Sequence, residues 1–459
     1  RAWEMLAVGV VYLGASRTTF FKTNGKFIEF LGFGLIVSSI LMFSSRTAWP
    51  SAWATIPVIG SVLVLCSAQT HSVWTGSRIA QWLGTRSYSL YLWHWPIVVT
   101  LVYCGVEDDA GIVALALVAT LLLGEASYRL VENPARRHLE GLKVSVGTVV
   151  VTIASLALAV PAVYIRSQDG IKGRLAPELE LVFNEATNKN PRIKECFAEA
   201  RVPDSSCTYG GPTLGAIVIG DSHAASIVRT VENSLPDKGL HVLDWTMQSC
   251  PTLIGVRALP GGQSENCGQF VSSSLAKHAA LPNDAPLIIV NRSSTYAFGP
   301  NDKGRENEAF PSIYFNQPVT QPTEPFLKDF RAAIISTACE FAKTRPVYLV
   351  RPIPELKFNV PQVMGRALQL GVKQEVSITI DEYHRRNSFV WEAQDAARDK
   401  CGVQILDPTK YLCMNGQCKG AQAGRPLYYD DDHLSEHGAN VLKPMFAEIF
   451  VGKQTSNMP

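Results

Sequence analysis

The sequence of 459 residues is long enough for two or three domains. Its formal net charge is only +2, and charged residues make up 18% of it. No long run of Lys and Arg occurs, and aromatic residues are not interleaved with basic ones, so a nucleic-acid partner is not expected. The composition changes near residue 165, from apolar runs to ordinary globular composition. The sequence therefore predicts a multi-domain protein with a membrane part followed by an α/β part.

Six apolar segments make up the first part of the chain, at 2–15, 27–43, 53–66, 89–105, 110–128 and 145–165. Several approach the ~17–25 residues that a membrane-spanning helix needs. The first segment is short, the chain begins with Arg1, and no signal peptide is visible. We therefore expect part of an α-helical transmembrane bundle that lacks its N-terminal helices.

Basic residues concentrate in alternate connections between these segments. They are Arg17, Lys22, Lys26, Arg78, Arg86, Arg129, Arg136, Arg137 and Lys143. The other connections carry Arg46, Glu107, Asp108 and Asp109. This alternation follows the positive-inside pattern, so we expect a cytoplasmic loop at 129–144 and an exported chain after residue 166. Buried helices of a soluble protein are the alternative, in which the alternation is a coincidence.

One apolar segment, "RSYSLYLWHWPI", contains His94 among aromatic residues. Ionisable groups within a membrane span usually face a site or cavity, so His94 is a candidate substrate-binding residue, with a packing role as the alternative. Together with "YRLVENPARR", this segment resembles the end of the integral-membrane acyltransferase-3 domain over residues 1–140. The resemblance implies a lipid bilayer as partner and acyl-CoA, with acetyl-CoA favoured, as the donor of a longer protein. The helices that handle the donor in that family are not in this sequence, and no bound cofactor is expected.

Eight cysteines follow Pro191, whereas the apolar part has two. The eight are Cys196, Cys207, Cys250, Cys267, Cys339, Cys401, Cys413 and Cys418. An even number confined to one half indicates disulfides in an oxidising compartment. A metal site is not expected, because no C-x2-C pair occurs. Of the 105 possible connectivities, local pairing is the simplest: 196 with 207, 250 with 267, 339 with 401, and 413 with 418.

Short apolar runs alternate with helical stretches in the second half. Strands are predicted at Ala216–Ile219, His241–Asp244, Leu287–Val290, Val347–Val350 and Val403–Leu406, and helices at Ala224–Ser234 and Pro325–Lys343. This alternation is typical of a parallel sheet with helices on both faces, a three-layer α/β domain.

The motifs "VIGDSHA" and "DDDHLS" supply the residues for serine chemistry. Serine needs a base to remove its proton, and the base needs an acceptor that orients it. D-x-x-H supplies both, so we predict Ser222 as the nucleophile, His433 as the base and Asp430 as its partner. Asp431 and Asp432 leave the choice of acid open. His437, four residues after His433, is predicted to face solvent on a helix capped by Ser435.

These two motifs resemble blocks I and V of the SGNH hydrolase superfamily, in the version fused to acyltransferase-3 domains, over residues 205–450. The resemblance implies an oxyanion hole made by the Ser222 N–H, a glycine and an asparagine, for which Gly255 and Asn291 are the candidates. The usual Gly-x-Asn-Asp of block III is missing. For Arg292, binding of an acidic sugar or acyl oxygen competes with a surface ion pair, which is favoured. For His223, a substrate contact competes with packing at a helix start.

These features together predict a multi-pass protein of the bacterial inner membrane. Residues 1–140 would be the end of the acyltransferase domain, 141–168 the last transmembrane helix, 169–205 a linker and 206–459 a periplasmic catalytic domain. The resemblances imply an O-acyltransferase that modifies an envelope polysaccharide, such as lipopolysaccharide O-antigen or exopolysaccharide, through a serine acyl-enzyme. The alternatives are a periplasmic carbohydrate esterase and a glycan-binding module that assists the membrane domain.

Overall fold

The structure is a computed structural model that describes residues 24–43, 51–67, 69, 72–168, 170–171, 173–197, 207–258, 265–302 and 310–451. The chain forms two compact units, Arg1–Gly170 and Ile171–Pro459. The division falls close to the predicted end of the last apolar helix. The predicted apolar segment 2–15 lies outside the described residues.

The described residues of the first unit are helical. The helices are α1 (Gly25–Met42), α2 (Thr55–Ser67), α3 (Arg78–Cys104), α4 (Ala110–Ser127), α5 (Asn133–Glu140) and α6 (Val144–Ser167). Within the described ranges, three helical stretches are long and apolar enough to cross a membrane: Gly25–Met42, Ala110–Glu140 and Val144–Ser167. The apolar segments predicted within these ranges are therefore confirmed as helices.

The connections between these helices differ from the prediction. Arg86 lies inside α3 and pairs with Glu125 of α4, so it is not in a loop. A single wide π-helical turn joins α4 directly to α5. Pro134 lies just beyond this turn and has no N–H to donate back to it, which favours irregular helical geometry there. The predicted loop 129–144 is therefore helical up to Glu140.

Glycines set the closest approach between α1 and α2. A Cβ atom added at Gly32 would lie 2.7 Å from the Gly60 carbonyl oxygen, and one added at Gly60 would lie 2.8 Å from the Gly32 carbonyl oxygen. Small residues allow helix backbones to pack this closely where lipid supplies no hydrophobic driving force. The two helices can therefore pack backbone to backbone at this crossing.

The second unit is built on a six-stranded sheet. Its strands are β1 (Cys207–Gly210), β2 (Thr213–Gly220), β3 (Leu240–Thr246), β4 (Leu287–Val290), β5 (Val347–Val350) and β6 (Gln404–Leu406). Their order is β1-β3-β2-β4-β5-β6, and all neighbours are parallel except β1 and β3. The predicted parallel sheet is confirmed, and the antiparallel edge strand β1 is an addition to it.

Helices cover both faces of this sheet. They are α7 (Pro177–Asn184), α8 (Ser222–Glu232), α9 (Cys267–His278), α10 (Ser293–Phe298), α11 (Glu324–Ala342), α12 (Val360–Gln369), α13 (Ile380–Cys401), α14 (Glu436–Val441) and α15 (Lys443–Val451). Alternate residues of β2 enter different cores: Val218 packs with α8 and α15, and Ile219 packs with α9 and α11. This is a three-layer α/β domain, and its strand ends determine where the functional groups meet.

The segment predicted as a linker packs onto the α/β unit. Asn190 donates to the Tyr209 hydroxyl at 3.0 Å and to the Ala225 carbonyl at 3.2 Å. The Glu436 backbone N–H donates to the Asn188 carbonyl at 2.9 Å. The disulfide Cys196–Cys207 joins the segment to β1. Its described residues therefore belong to the folded domain.

The predicted local disulfide pairing is confirmed. The other three bonds join Cys250 with Cys267, Cys339 with Cys401, and Cys413 with Cys418. They close loops of very different length, which predicts unequal contributions to stability because long loops lose more entropy in the unfolded state when they are closed.

We expect replacement of Cys339 and Cys401 by serine to destabilise the α/β unit more than replacement of Cys413 and Cys418. The sequence separations are 62 and 5 residues, for which loop entropy predicts losses of about 4 and about 2 kcal/mol. Denaturant unfolding of the two double variants, followed by tryptophan fluorescence, measures the difference. Equal losses would contradict the loop-entropy explanation.

Candidate active site

The turn after β2 places Ser222 at the carboxyl edge of the sheet. A Cβ atom on Gly220 would lie 1.8 Å from the Val290 carbonyl oxygen, so only glycine fits between β2 and β4 at this point. Ser222 is the first residue of α8, whose first N–H groups have no partner within the helix. The Ser222 hydroxyl and the Ser222 backbone N–H, which has no partner within the helix, therefore share one turn.

The carboxylate of Asp221 holds this turn in place through hydrogen bonds. It is fully buried, and its Oδ1 accepts the His223 backbone N–H at 2.9 Å. Its Oδ2 accepts the Arg292 backbone N–H at 2.7 Å and the Tyr296 hydroxyl at 2.9 Å. This carboxylate joins the turn after β2 to the turn after β4, and thereby holds the Ser222 turn against its neighbour.

The segment that carries His433 is fixed by its own carboxylate. Asp430 Oδ1 accepts the backbone N–H groups of Asp432 and His433, at 3.1 and 2.8 Å. Ser435 caps α14, because its side chain accepts the Gly438 N–H at 3.1 Å. The predicted N-cap is confirmed, and the segment enters α14 with a defined direction.

The structure brings Ser222 and His433 into direct contact. His433 Nε2 lies 2.7 Å from Ser222 Oγ, within hydrogen-bond distance. His433 Nδ1 lies 2.9 Å from Asp430 Oδ2 and 3.1 Å from Asp432 Oδ1. The Tyr429 ring stacks on the imidazole with a centroid separation of 5.1 Å. The imidazole therefore has its hydroxyl partner on one side and two carboxylates on the other.

The second carboxylate, Asp432, was left open by the sequence and is the more buried of the two. Its side chain is 4% exposed, against 28% for Asp430. Asp432 Oδ2 also contacts His223 Nε2 at 3.0 Å and Arg292 Nη1 at 2.9 Å. A buried carboxylate normally becomes harder to ionise, but these neighbours outweigh its burial and hold the pKa of Asp432 well below its usual value.

The same carboxylates act on His433. Burial alone would lower the pKa of the imidazole, but the charge of Asp432 and the hydrogen bond that His433 donates to Asp430 outweigh it, so the pKa of His433 is raised. A raised pKa means that the site stabilises the imidazolium form. That form is the one that a histidine base takes when it accepts a proton from a serine nucleophile.

Arg292 differs from the favoured interpretation, whereas His223 fills one of the two roles that the sequence left open. Arg292, for which a surface ion pair was favoured, is largely buried between Asp432 and Glu355, with Nη2 3.2 Å from Glu355 Oε2. His223, considered for substrate contact, is 1% exposed and spends Nε2 on Asp432. Burial removes both side chains from a substrate surface, and the packing role is the one that His223 fills.

The structure gives the two candidate residues for the oxyanion hole different surroundings. Asn291 follows β4, next to the Ser222 strand, and its Oδ1 accepts from the Thr252 backbone and hydroxyl at 3.2 and 3.3 Å. This fixes the amide and leaves Nδ2 as its donor. Gly255 is exposed, and no described atom lies within 4 Å of a Cβ built on it. The backbone N–H of its neighbour Ile254 donates a hydrogen bond to the Thr337 hydroxyl of α11. No described contact connects Gly255 with Ser222.

Two further histidines were considered from the sequence. His437 is on α14 as predicted but is half-buried, and burial lowers its pKa. His94 Nδ1 lies 2.6 Å from the Tyr91 carbonyl oxygen of the same helix, and its ring contacts Tyr91 and Trp95. Within the described residues these contacts stay inside α3, so both interpretations of His94 remain predictions.

An α/β domain that presents a serine, a histidine and a carboxylate at the edge of a parallel sheet has the arrangement of a serine-dependent hydrolase or acyltransferase. Residues 195–448 match the family model described as "SGNH domain (fused to AT3 domains)". The chain therefore belongs to the SGNH-domain family whose members are fused to acyltransferase-3 domains.

Curated relatives cover a small part of the chain. The chain is 31% identical over 114 residues to the peptidoglycan O-acetyltransferase OatA of Listeria monocytogenes, covering 22% of this chain and 18% of that protein. It is 33% identical over 93 residues to the O-acetyltransferase OatA of Staphylococcus aureus, covering 18% and 15%. The matched part of this chain spans less than a fifth of either relative's length.

One solved structure that matches this chain is the periplasmic domain of a lipopolysaccharide acetyltransferase from Salmonella ser. Paratyphi A. The match covers 54% of this chain and 85% of the chain in that structure, with 15% sequence identity and a TM-score of 0.37.

We expect Asp432→Asn to move the acid limb of the pH dependence of kcat/KM for acetyl-ester turnover to lower pH. His433 acts as a base only when neutral, so activity is lost as pH falls through its pKa, and removing the Asp432 charge lowers that pKa. The maximal rate should also fall, because one acceptor that orients Nδ1 is lost. Asp399→Asn, at an exposed carboxylate on α13, is the control and should leave the profile unchanged. An unchanged acid limb in Asp432→Asn would show that Asp432 does not act on His433.

Proposed function

We propose that this chain is part of a bacterial O-acetyltransferase that modifies a polysaccharide of the cell envelope through an acyl-enzyme on Ser222. The observation that supports it most is the hydrogen bond of 2.7 Å between Ser222 Oγ and His433 Nε2, on an imidazole backed by two carboxylates. Membership of a family fused to acyltransferase-3 domains, and the partial similarity to O-acetyltransferases, favour transfer as the reaction.

The first half of the proposed reaction loads Ser222. Oγ attacks the carbonyl carbon of an acetyl donor while His433 Nε2 accepts the hydroxyl proton. The resulting oxyanion accepts hydrogen bonds from the Ser222 backbone N–H and from Asn291 Nδ2. The bond between the carbonyl carbon and the leaving atom of the donor then breaks, that atom takes the proton from His433, and the acetyl group remains on Oγ as an ester.

The second half delivers the acetyl group to the acceptor. A sugar hydroxyl gives its proton to His433 Nε2 and attacks the ester carbon, and Ser222 Oγ leaves with the proton returned by His433. Both halves create an imidazolium at His433, and the carboxylates of Asp430 and Asp432 stabilise it. Water can take the place of the sugar, which is the esterase alternative, so the acceptor decides the outcome.

The two-unit organisation supports a proposal for the donor and the compartment. We propose that cytoplasmic acetyl-CoA supplies the acetyl group through the membrane unit of the whole protein. The α/β unit then receives it outside the inner membrane. The four disulfides in the α/β unit support an oxidising compartment for that unit.

We expect Ser222→Ala to lower acetyl-ester turnover by the full chain about a thousandfold or more, because loss of a triad nucleophile removes the acyl-enzyme route. The assay follows release from a chromogenic acetyl ester, with acceptor sugars present or absent. Ser272→Ala, at an exposed serine on α9, is the matched control. Turnover retained by a folded Ser222→Ala protein would exclude Ser222 as the nucleophile, and ester loss without any acetylated sugar would favour the esterase.

We expect a cysteine at position 143 to be protected from a membrane-impermeant maleimide in intact cells, and a cysteine at position 174 to be labelled. Both positions are exposed and lie on either side of α6, whose 24 residues are enough to cross the bilayer. Lys143→Cys and Arg174→Cys are made after Cys66 and Cys104, the two free thiols, are replaced by serine. Permeabilised cells should label both, and the reverse pattern in intact cells would overturn the proposed orientation.

A further inference from the structure

A cavity of about 440 Å³ lies beside the candidate active site at the same edge of the sheet. The loop after β5, the end of α10 and the first turns of α13 surround it. The lining residues used below are Phe298, Asn301, Glu355, Arg385, Arg386 and Phe389. Because ligands of open α/β sheets bind outside the carboxyl ends of the strands, the position of this cavity favours a ligand of the same reaction.

The charges that line the cavity are neutralised except for one. Arg386 holds Glu355 with Nη2 2.6 Å from Oε2, and Lys357 holds Glu382 with Nζ 2.7 Å from Oε1. Arg385 is exposed and has neither an ion pair nor a hydrogen bond among the described residues. A planar guanidinium left unpaired in a cavity is suited to bind a carboxylate through two hydrogen bonds.

The other lining groups suit a sugar ring. Phe298 is 40% exposed, and its ring packs edge-on against Phe389 at 5.6 Å, which keeps it in place as an apolar surface. Asn301 Nδ2 donates a hydrogen bond to the Glu355 backbone carbonyl at 2.9 Å, so the Asn301 Oδ1 remains as an acceptor. Glu355 Oε1 is buried without a hydrogen-bond partner in the described part of the chain, and a ligand hydroxyl would satisfy it.

A continuous chain of charges connects this cavity with the nucleophile. Glu355 Oε2 is 3.2 Å from Arg292 Nη2, and Arg292 Nη1 is 2.9 Å from Asp432 Oδ2. Asp432 in turn contacts His433, the partner of Ser222. A ligand held by the cavity is therefore next to the same buried ion pairs that orient the base.

We propose that this cavity binds a carboxylate-bearing saccharide unit of the acceptor, with Arg385 on the carboxylate and Phe298 against the sugar ring. The proposal rests on the proposed function, because it assigns the second substrate of that reaction. It makes Arg385 a specificity-determining residue that acts through binding and takes no part in the proton transfers at Ser222.

The test measures binding of trigalacturonate to the full chain in detergent micelles by calorimetry. The comparison ligand is the fully methyl-esterified trimer, which has the same rings without the charge. We expect Arg385→Ala to weaken trigalacturonate binding at least about tenfold, as expected for loss of a charge-assisted hydrogen bond. We expect Arg385→Lys to keep part of it, and the methyl ester to bind weakly to every variant. Arg331→Ala, at an exposed arginine of α11, is the control.

The outcomes separate this proposal from the proposed function. Ser222→Ala should bind trigalacturonate like the unaltered chain while losing acetyl transfer. Equal affinity for the two trimers, no binding of either, or unchanged binding in Arg385→Ala would each overturn the cavity assignment. Transfer that survives in Ser222→Ala would instead overturn the acyl-enzyme, whatever the binding data show.

Discussion

The site depends most on the buried Asp432 carboxylate and on its contacts with three neighbouring side chains, two histidines and one arginine. Asp432 touches His433, His223 and Arg292 within 3.1 Å while almost completely removed from water. A carboxylate so buried is stable only if it is paired, and breaking a buried pair costs about 3–5 kcal/mol because the remaining charge is left uncompensated. His433 is therefore oriented by a group that cannot easily move.

The order of the strands explains why these groups meet. Ser222 follows β2, Asn291 and Arg292 follow β4, and Glu355 follows β5, and these strands are adjacent and parallel. Their carboxyl ends therefore form one edge, to which Asp430 and His433 return from a segment almost at the end of the second unit. Asp221 ties the first two turns together through its carboxylate. The edge is thus a set of turns locked to one another by buried charge.

Some elements of this fold could be predicted from the amino-acid sequence, and others could not. The apolar runs of the five parallel strands were visible, because parallel strands are mostly buried on both faces. The disulfide pairing was not fixed by the sequence; local pairing was only the simplest of the 105 connectivities, and it is confirmed. Helix α13 was missed because it is strongly polar, although Thr379 and Glu382 form a capping box that marks its start. The edge strand β1 was missed because its sequence, Cys-Thr-Tyr-Gly, contains no apolar run.

The same contrast holds within the site. D-x-x-H spacing identifies Asp430, because Asp430 and His433 lie on one short segment. Asp432 has the same sequence neighbourhood and could be separated from Asp431 only by knowing which side chain faces Arg292 and Glu355, residues far away in the chain. Arg292 was expected at the surface for the same reason, since burial of a charge depends on partners that sequence does not reveal. In this fold the proposed nucleophile and base belong to short local motifs, whereas the charges that raise the pKa of His433 are a property of the assembled sheet edge.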